Sequence, residues 1–253
     1  SKSKGNVIDP LEMTEQFGTD AFRFTLTAFA AQGRDIKMSA ERIEGYRNFA
    51  NKIWNASRFV MMNLEEGFKP NNEIVNRYST PADKWIVSRL QTVIKEVGLA
   101  LEEYRFNDVA SSLYQFIWHE YCDWYVEMSK GALKGADDAV RKASQTALVA
   151  TLESTLRLLH PIMPFITEEI WQKLPAGVKG NAGSIMVSPF PKVDEKLINI
   201  ESERYMKPSM DINLSLRNIR GEMNIPPSAR PEAVIRPESE EVRCRDGSLR
   251  IAL

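Results

Sequence analysis

The chain has 253 residues, 33 Lys+Arg against 34 Asp+Glu for a formal net charge of −1, and 43% hydrophobic with 26% charged residues. Such composition excludes disordered and collagen-like chains, and near-neutrality argues against a polybasic nucleic-acid binder while leaving room for a local patch. No stretch approaches the roughly 18–20 uncharged apolar residues of a membrane span, the Ser1–Gly5 opening is no secretory signal, and Cys122 and Cys244 are too few for a disulfide framework, which points to a reducing, cytoplasmic setting.

Taken in order, the elements are almost all helical. Asp9 as N-cap and Pro10 at the first helical position start a short helix that Gly18 ends. Asp20 is placed to cap the next, with Phe22, Leu26 and Phe29 on one face. Residues 30–35 read as a turn. Ser39 then caps a long helix to about Glu66, with Ile43, Tyr46, Ala50, Ile53, Trp54 and Phe59 at helical period. A polar loop over 67–81 precedes an amphipathic helix carrying Ile86, Leu90, Val93, Val97, Leu101 and Tyr104. Asn107 or Asp108 restarts the pattern through Ala110, Leu113, Ile117, Tyr121, Trp124 and Met128, and Gly131 to Gly135 breaks it. Leu148, Leu152, Leu156 and Leu159 carry another long helix to His160-Pro161. Pro164 opens a short one with Phe165, Ile166, Ile170 and Trp171 apolar. About five helices on short loops predict a mainly α fold, an antiparallel up-and-down bundle.

After Pro175 the texture changes. Three glycines make a loop, Ile185-Met186-Val187 reads as a strand, and 201–223 reads as helix with a break at Pro208. Pro226-Pro227 stops it, and Ala233-Val234-Ile235 reads as another strand. The expected division is 1–38 for an opening loop and junction helices, 39–176 for the bundle, and 177–253 for a small α/β appendage. With Ser1 in place of an initiating methionine, and a strand-like ending at Leu253, the chain reads as a fragment.

Catalytic patterns are scarce. No P-loop and no dinucleotide-binding glycine motif occurs. His119, Cys122 and Asp123 have the spacing of a helical metal half-site, but no second half follows, and a packed face explains a Tyr- and Trp-rich helix more simply, so no metal is expected. The Ser1-Lys2-Ser3-Lys4-Gly5-Asn6-Val7 loop, running into a helix at Asp9-Pro10, suits phosphate contact, with lysine as a point charge. A solvated loop would have the same composition.

That opening resembles the end of the KMSKS signature of class I aminoacyl-tRNA synthetases. Residues 17–23, Phe-Gly-Thr-Asp-Ala-Phe-Arg, resemble the junction behind it in the Val/Ile/Leu/Met subgroup. Arg34-Asp35-Ile36-Lys37 and the block from Arg47 to Phe59 are similar to the valyl-tRNA synthetase family, as are Asp83-Lys84-Trp85-Ile86, Cys122-Asp123-Trp124-Tyr125, His160 to Phe165, and Arg217 to Pro227. The resemblance implies that the bundle is the anticodon-binding domain, that tRNA(Val) is the partner, and that the chain is monomeric and binds neither DNA nor membrane. It also implies a full-length enzyme that attaches valine to tRNA with ATP and magnesium, the fragment itself holding no cofactor and being inactive. Of the catalytic apparatus the resemblance leaves Ser1, Lys2 and Ser3, with Lys2 matching the lysine that neutralises ATP phosphates.

Unpaired RNA loops are read by stacking on aromatic or Arg planes and by hydrogen bonds to base edges. On the helix from Ser39 the candidates are Arg42, Arg47, Asn48, Lys52, Asn55 and Phe59, with Lys52 and Phe59 seven apart on one face. The plainer alternative is that Phe59 and Trp54 are core and the charges solvated. A helical adaptor for partner proteins would explain the bundle equally, though not the opening loop.

Overall fold

The computed structural model describes residues 9–30, 38–70, 80–226, 228 and 229. Helices α1 (Pro10–Phe17), α2 (Thr19–Phe29), α3 (Ala40–Met62), α4 (Pro81–Glu102) and α5 (Phe106–Tyr114) lead into a π-helical segment, π1 (Gln115–Tyr125). Helices α6 (Val126–Lys134), α7 (Asp138–Leu159), α8 (Pro164–Lys173), α9 (Ala176–Lys179) and α10 (Ile200–Glu222) complete the order. The result is a mainly α helical bundle. Among the described residues there is no strand, and no helix is long and apolar enough to cross a membrane.

Local chemistry explains most boundaries. Asp9 accepts from Leu11 N at 2.8 Å with Pro10 behind it, which starts α1. Gly18, at φ +90, turns the chain from α1 into α2, a conformation that favours glycine. Thr80 and Asp83 form a reciprocal capping box at α4, and Asp137 accepts from Ala139 N and Val140 N at α7. Ser39 is the N-cap residue of α3, but its hydroxyl makes no capping bond.

The chain divides into two compact units, Ser1–Asn199 and Ile200–Leu253. In the first, Phe24, Phe49, Leu113, Phe116, Tyr121, Tyr125, Leu148, Leu152, Leu156 and Trp171 are fully buried, and Phe17, Ala21, Phe22 and Ile43 form a local core at the α1–α2–α3 corner. Asp83 is buried as well. It accepts from Tyr125 Oη at 2.7 Å and from Ser144 Oγ at 2.9 Å, so α4, π1 and α7 meet on one carboxylate whose lone pairs are satisfied.

Several sequence expectations change. Residues 185–187 form a 3-10 turn, Ile185–Val187, and not a strand, because Glu168 fixes the local backbone. Its carboxylate accepts from Ser184 Oγ at 2.8 Å and from Ile185 N at 3.2 Å. The strand expected at 233–235 lies outside the described residues. Helix α10 runs through Pro208 unbroken; only one backbone donor is lost there, and Arg204, four residues before it, is exposed to water. The helix before Gly135 continues past Gly131 to Lys134. Leu26 and Phe165, expected on apolar faces, are exposed. Along π1 the burial passes from Trp124 to Tyr125, since each π turn takes up one residue more than an α turn.

Candidate nucleic-acid interface

Helix α3 carries the residues that sequence reasoning selected. Its inner side is Ile43, Phe49, Ile53, Ala56, Ser57 and Val60. At 100° per residue the opposite side must be Glu44, Asn48, Asn51, Asn55, Arg58 and Met62, and all six are exposed. Asn48 and Asn55 therefore share one face. Neither makes a hydrogen bond or ion pair with any described residue.

The other candidates are engaged. Lys52 Nζ lies 2.5 Å from Asp123 Oδ1 and 3.9 Å from the centre of the Trp118 ring, so its charge is held against π1. Trp118 stacks on Tyr114 at 5.5 Å and 17°. Asp123 also lies 3.5 Å from His119 Nδ1. The spacing that resembled a metal half-site thus serves an ion pair between helices, and among the described residues no group of three or more His, Cys, Asp or Glu could hold a metal. Burial pushes the Cys122 thiol up to about 12, far from the thiolate range at neutral pH.

Arg42 is exposed, with its guanidinium 4.6 Å from the centre of the Phe29 ring on α2. Arg47 pairs with Glu44 at 2.7 Å and lies 5.8 Å from the Phe17 ring. Arg42 and Lys52 accordingly meet different neighbours, α2 and π1. Phe59 is half-buried, with Lys130 Nζ of α6 at 5.7 Å from its ring, and Trp54 is likewise half-buried under Lys173 Nζ of α8 at 5.8 Å. Neither ring belongs to the fully buried core. Ser1, Lys2 and Ser3, the candidate remnant of a phosphate-binding loop, lie outside the described residues.

Sequence reasoning missed the joint that ties α2 to the bundle. Asp20, expected as the cap of its own helix, instead accepts from Phe165 N at 3.2 Å and Ile166 N at 2.7 Å, capping α8 from a distance; Gly18 stands at the N-cap of α2. Burial raises the Asp20 carboxyl pKa, and the two amide bonds and Arg23 work against that rise. Arg23 donates to Ile162 O at 2.9 Å and Pro161 O at 3.0 Å, gripping the turn between α7 and α8 from the same side. One turn of α2, separated by about 140 residues in sequence, therefore holds the entry to α8. The sequence signal was the spacing of Asp20 and Arg23 three apart, which puts both on one helix face.

With this geometry established, comparison with known proteins defines the class. A family model described as the anticodon-binding domain of tRNA ligase matches residues 83–235, and a second, tRNA synthetases class I (I, L, M and V), matches residues 1–39. The chain belongs to the anticodon-binding-domain family of tRNA ligases. It is 56% identical over 236 residues to the valine–tRNA ligase of Syntrophotalea carbinolica, and 53% identical to that of Geobacter sulfurreducens, each covering 93% of this chain and 26% of the relative. The valine–tRNA ligase of Thermotoga maritima is 47% identical with the same coverage. The chain thus spans about a quarter of the length of these relatives, 26%. A leucyl enzyme solved as a LeuRS–tRNA–LeuAMS ternary complex from Agrobacterium radiobacter K84 shares the fold, with a TM-score of 0.57 at 23% identity, over 79% of this chain and 22% of that one.

Proposed function

We propose that this chain is the anticodon-reading portion of a valine–tRNA ligase. The observation that carries the reading is 56% identity to a valine–tRNA ligase across 93% of the chain. The bundle supports it, since α3 offers an exposed polar ridge beside half-buried rings, the combination that unpaired RNA requires. In this reading residues 1–38 are the junction to the catalytic domain, 39–176 the anticodon-binding bundle and 177–253 an appendage. The partner is tRNA(Val), and the setting is cytoplasmic and the chain monomeric. The RNA-facing residues are Arg42, Arg47, Asn48, Lys52, Asn55 and Phe59. Asn48 and Asn55 stand ready, whereas a phosphate must draw Lys52 from Asp123.

The full-length enzyme would use ATP to activate valine before passing it to the tRNA. Lys2, in the loop that resembles the end of the KMSKS signature, is the residue of this chain that would meet ATP phosphates. The chain alone contains no nucleotide-binding glycine loop, so valine-dependent ATP–pyrophosphate exchange by it is expected at background. The test of the reading is binding of the 253-residue chain to tRNA(Val) beside a transcript altered only in the anticodon. Tighter binding of the first is expected; equal binding of both, or of neither, would refute anticodon reading.

A further inference from the structure

Helix α3 carries four cations, Arg42, Arg47, Lys52 and Arg58. Three have partners: Arg42 lies over Phe29, Arg47 pairs with Glu44, and Lys52 pairs with Asp123. Arg58 is exposed and makes no hydrogen bond, ion pair or ring contact with any described residue. It is not alone on its face. Asn48, Asn51, Asn55 and Arg58 follow at spacings of 3, 4 and 3, which keeps all four within one narrow stripe of a helix. Each of the asparagines is also exposed and makes no hydrogen bond with any described residue.

The surroundings of this stripe have a definite chemistry. On one flank Lys130 lies over Phe59, and on the other Lys173 lies over Trp54. Both lysines are about half exposed at the side chain, 40% and 46%, and their carboxylate partners, Glu127 and Glu169, are each on the lysine's own helix. Among the described residues the ridge therefore presents three amides and the unpaired Arg58 guanidinium, with Glu44 on the same face paired to Arg47, and with lysines and aromatic rings to either side. A protein partner would need apolar anchors there, and the exposed apolar side chain on the stripe is Met62 at its far end. A single-stranded nucleic acid needs what is present: amides that both donate and accept along a base edge, and a cation for the phosphate between bases.

We infer that Asn51 and Arg58 are RNA-contacting residues, Asn51 at a base edge and Arg58 at a phosphate of an unpaired tRNA loop, completing a ridge with Asn48 and Asn55. This rests on the proposed function and narrows it, because it moves the centre of the α3 contact from the Lys52 flank to the exposed stripe. The occupant is the anticodon loop, since the bases of a duplex would not be splayed to meet a row of amides.

The experiment uses the 253-residue chain and the anticodon stem-loop of tRNA(Val), measuring affinity as a function of salt for the unmutated chain, Asn51→Ala, Arg58→Ala and Arg58→Lys. Arg58→Ala should weaken binding about tenfold and reduce the salt slope by about one phosphate contact, and Arg58→Lys should restore that slope. Asn51→Ala should weaken binding about three- to tenfold with the slope unchanged. Because both side chains are exposed, melting temperatures should match the unmutated chain. If the unmutated chain binds and either alanine variant binds as it does, the assignment of that residue is overturned while the proposed function stands. If the unmutated chain binds neither the stem-loop nor full tRNA(Val), the proposed function and this inference fail together.

Discussion

His160 stands at the turn between α7 and α8, partly buried, with Nδ1 2.8 Å from Thr167 Oγ1. Burial lowers its pKa below the ordinary 6.5, outweighing the Glu168 and Asp20 carboxylates that pull it upward. The unfolded chain then takes up this proton at a higher pH than the folded one, so stability rises with pH across that window and is lost as pH falls below 6.5. Melting temperature should drop between about pH 7 and pH 5.5, and His160→Gln should flatten the drop; parallel curves would mean the imidazole titrates freely. Asp20 has the opposite sign. Its raised carboxyl makes folding easier in acid, which is why the His160 scan stays above the carboxylate range. Lys52 poses a different question, since its partners lie within the protein. A double-mutant cycle of Lys52→Ala and Asp123→Ala in denaturant should give a coupling of about 0.5–1 kcal/mol, and Lys52→Ala should lower the melting temperature where Arg58→Ala does not. Zero coupling would show that Lys52 is free for a phosphate after all.

At the scale of elements, the helices with strong local signals were legible. Asp9-Pro10 starts α1, Thr80 to Asp83 starts α4, and the four-leucine stripe from Leu148 to Leu159 is buried throughout. What escaped the sequence was set by contacts distant along the chain. The π1 segment has ordinary amphipathic spacing, and only its packing against α4 and α7 selects Tyr125 for the Asp83 carboxylate over Trp124. The α3 candidates were correctly placed on one helix, but periodicity says nothing of Asp123, which approaches Lys52 from 71 residues away. Nor could it separate Arg58, whose lack of a partner among the described residues is a property of the fold. The π1 register can be tested by stability. Leu152→Ala, at a side chain 2% exposed, should cost about 2–5 kcal/mol. Tyr125→Phe keeps the ring but removes one donor from a buried carboxylate, and should cost about 1–3 kcal/mol. Trp124→Ala should cost less than Leu152→Ala in the same urea titration. A Trp124 cost equal to that of Leu152 would restore the uniform α-helical register and remove π1.

For the molecule as a whole, a net charge of −1 and a pI of about 6.2 mean that no overall field draws polyanions to it. Any RNA contact must come from local groups, and those on and around α3 are few: Arg58, with Lys130 and Lys173 at its flanks, and Arg42, Arg47 and Lys52, which have partners within the protein. Single strands release about 0.7 counterion per neutralised phosphate, so about three to six contacts should give a slope of log affinity against log salt of about −2 to −4. On the proposed reading, hydrogen bonds and stacking, which salt does not screen, supply the discrimination among anticodons. Two consequences follow for tRNA(Val) binding measured between about 50 and 200 mM salt. The slope should stay within this shallow range, and duplex DNA should not compete, because its bases are stacked and not splayed to meet the α3 amides. A slope near about −7, equivalent to about ten phosphates, or efficient displacement by duplex DNA, would require a broader cationic surface than these groups supply, and would move recognition away from α3 altogether.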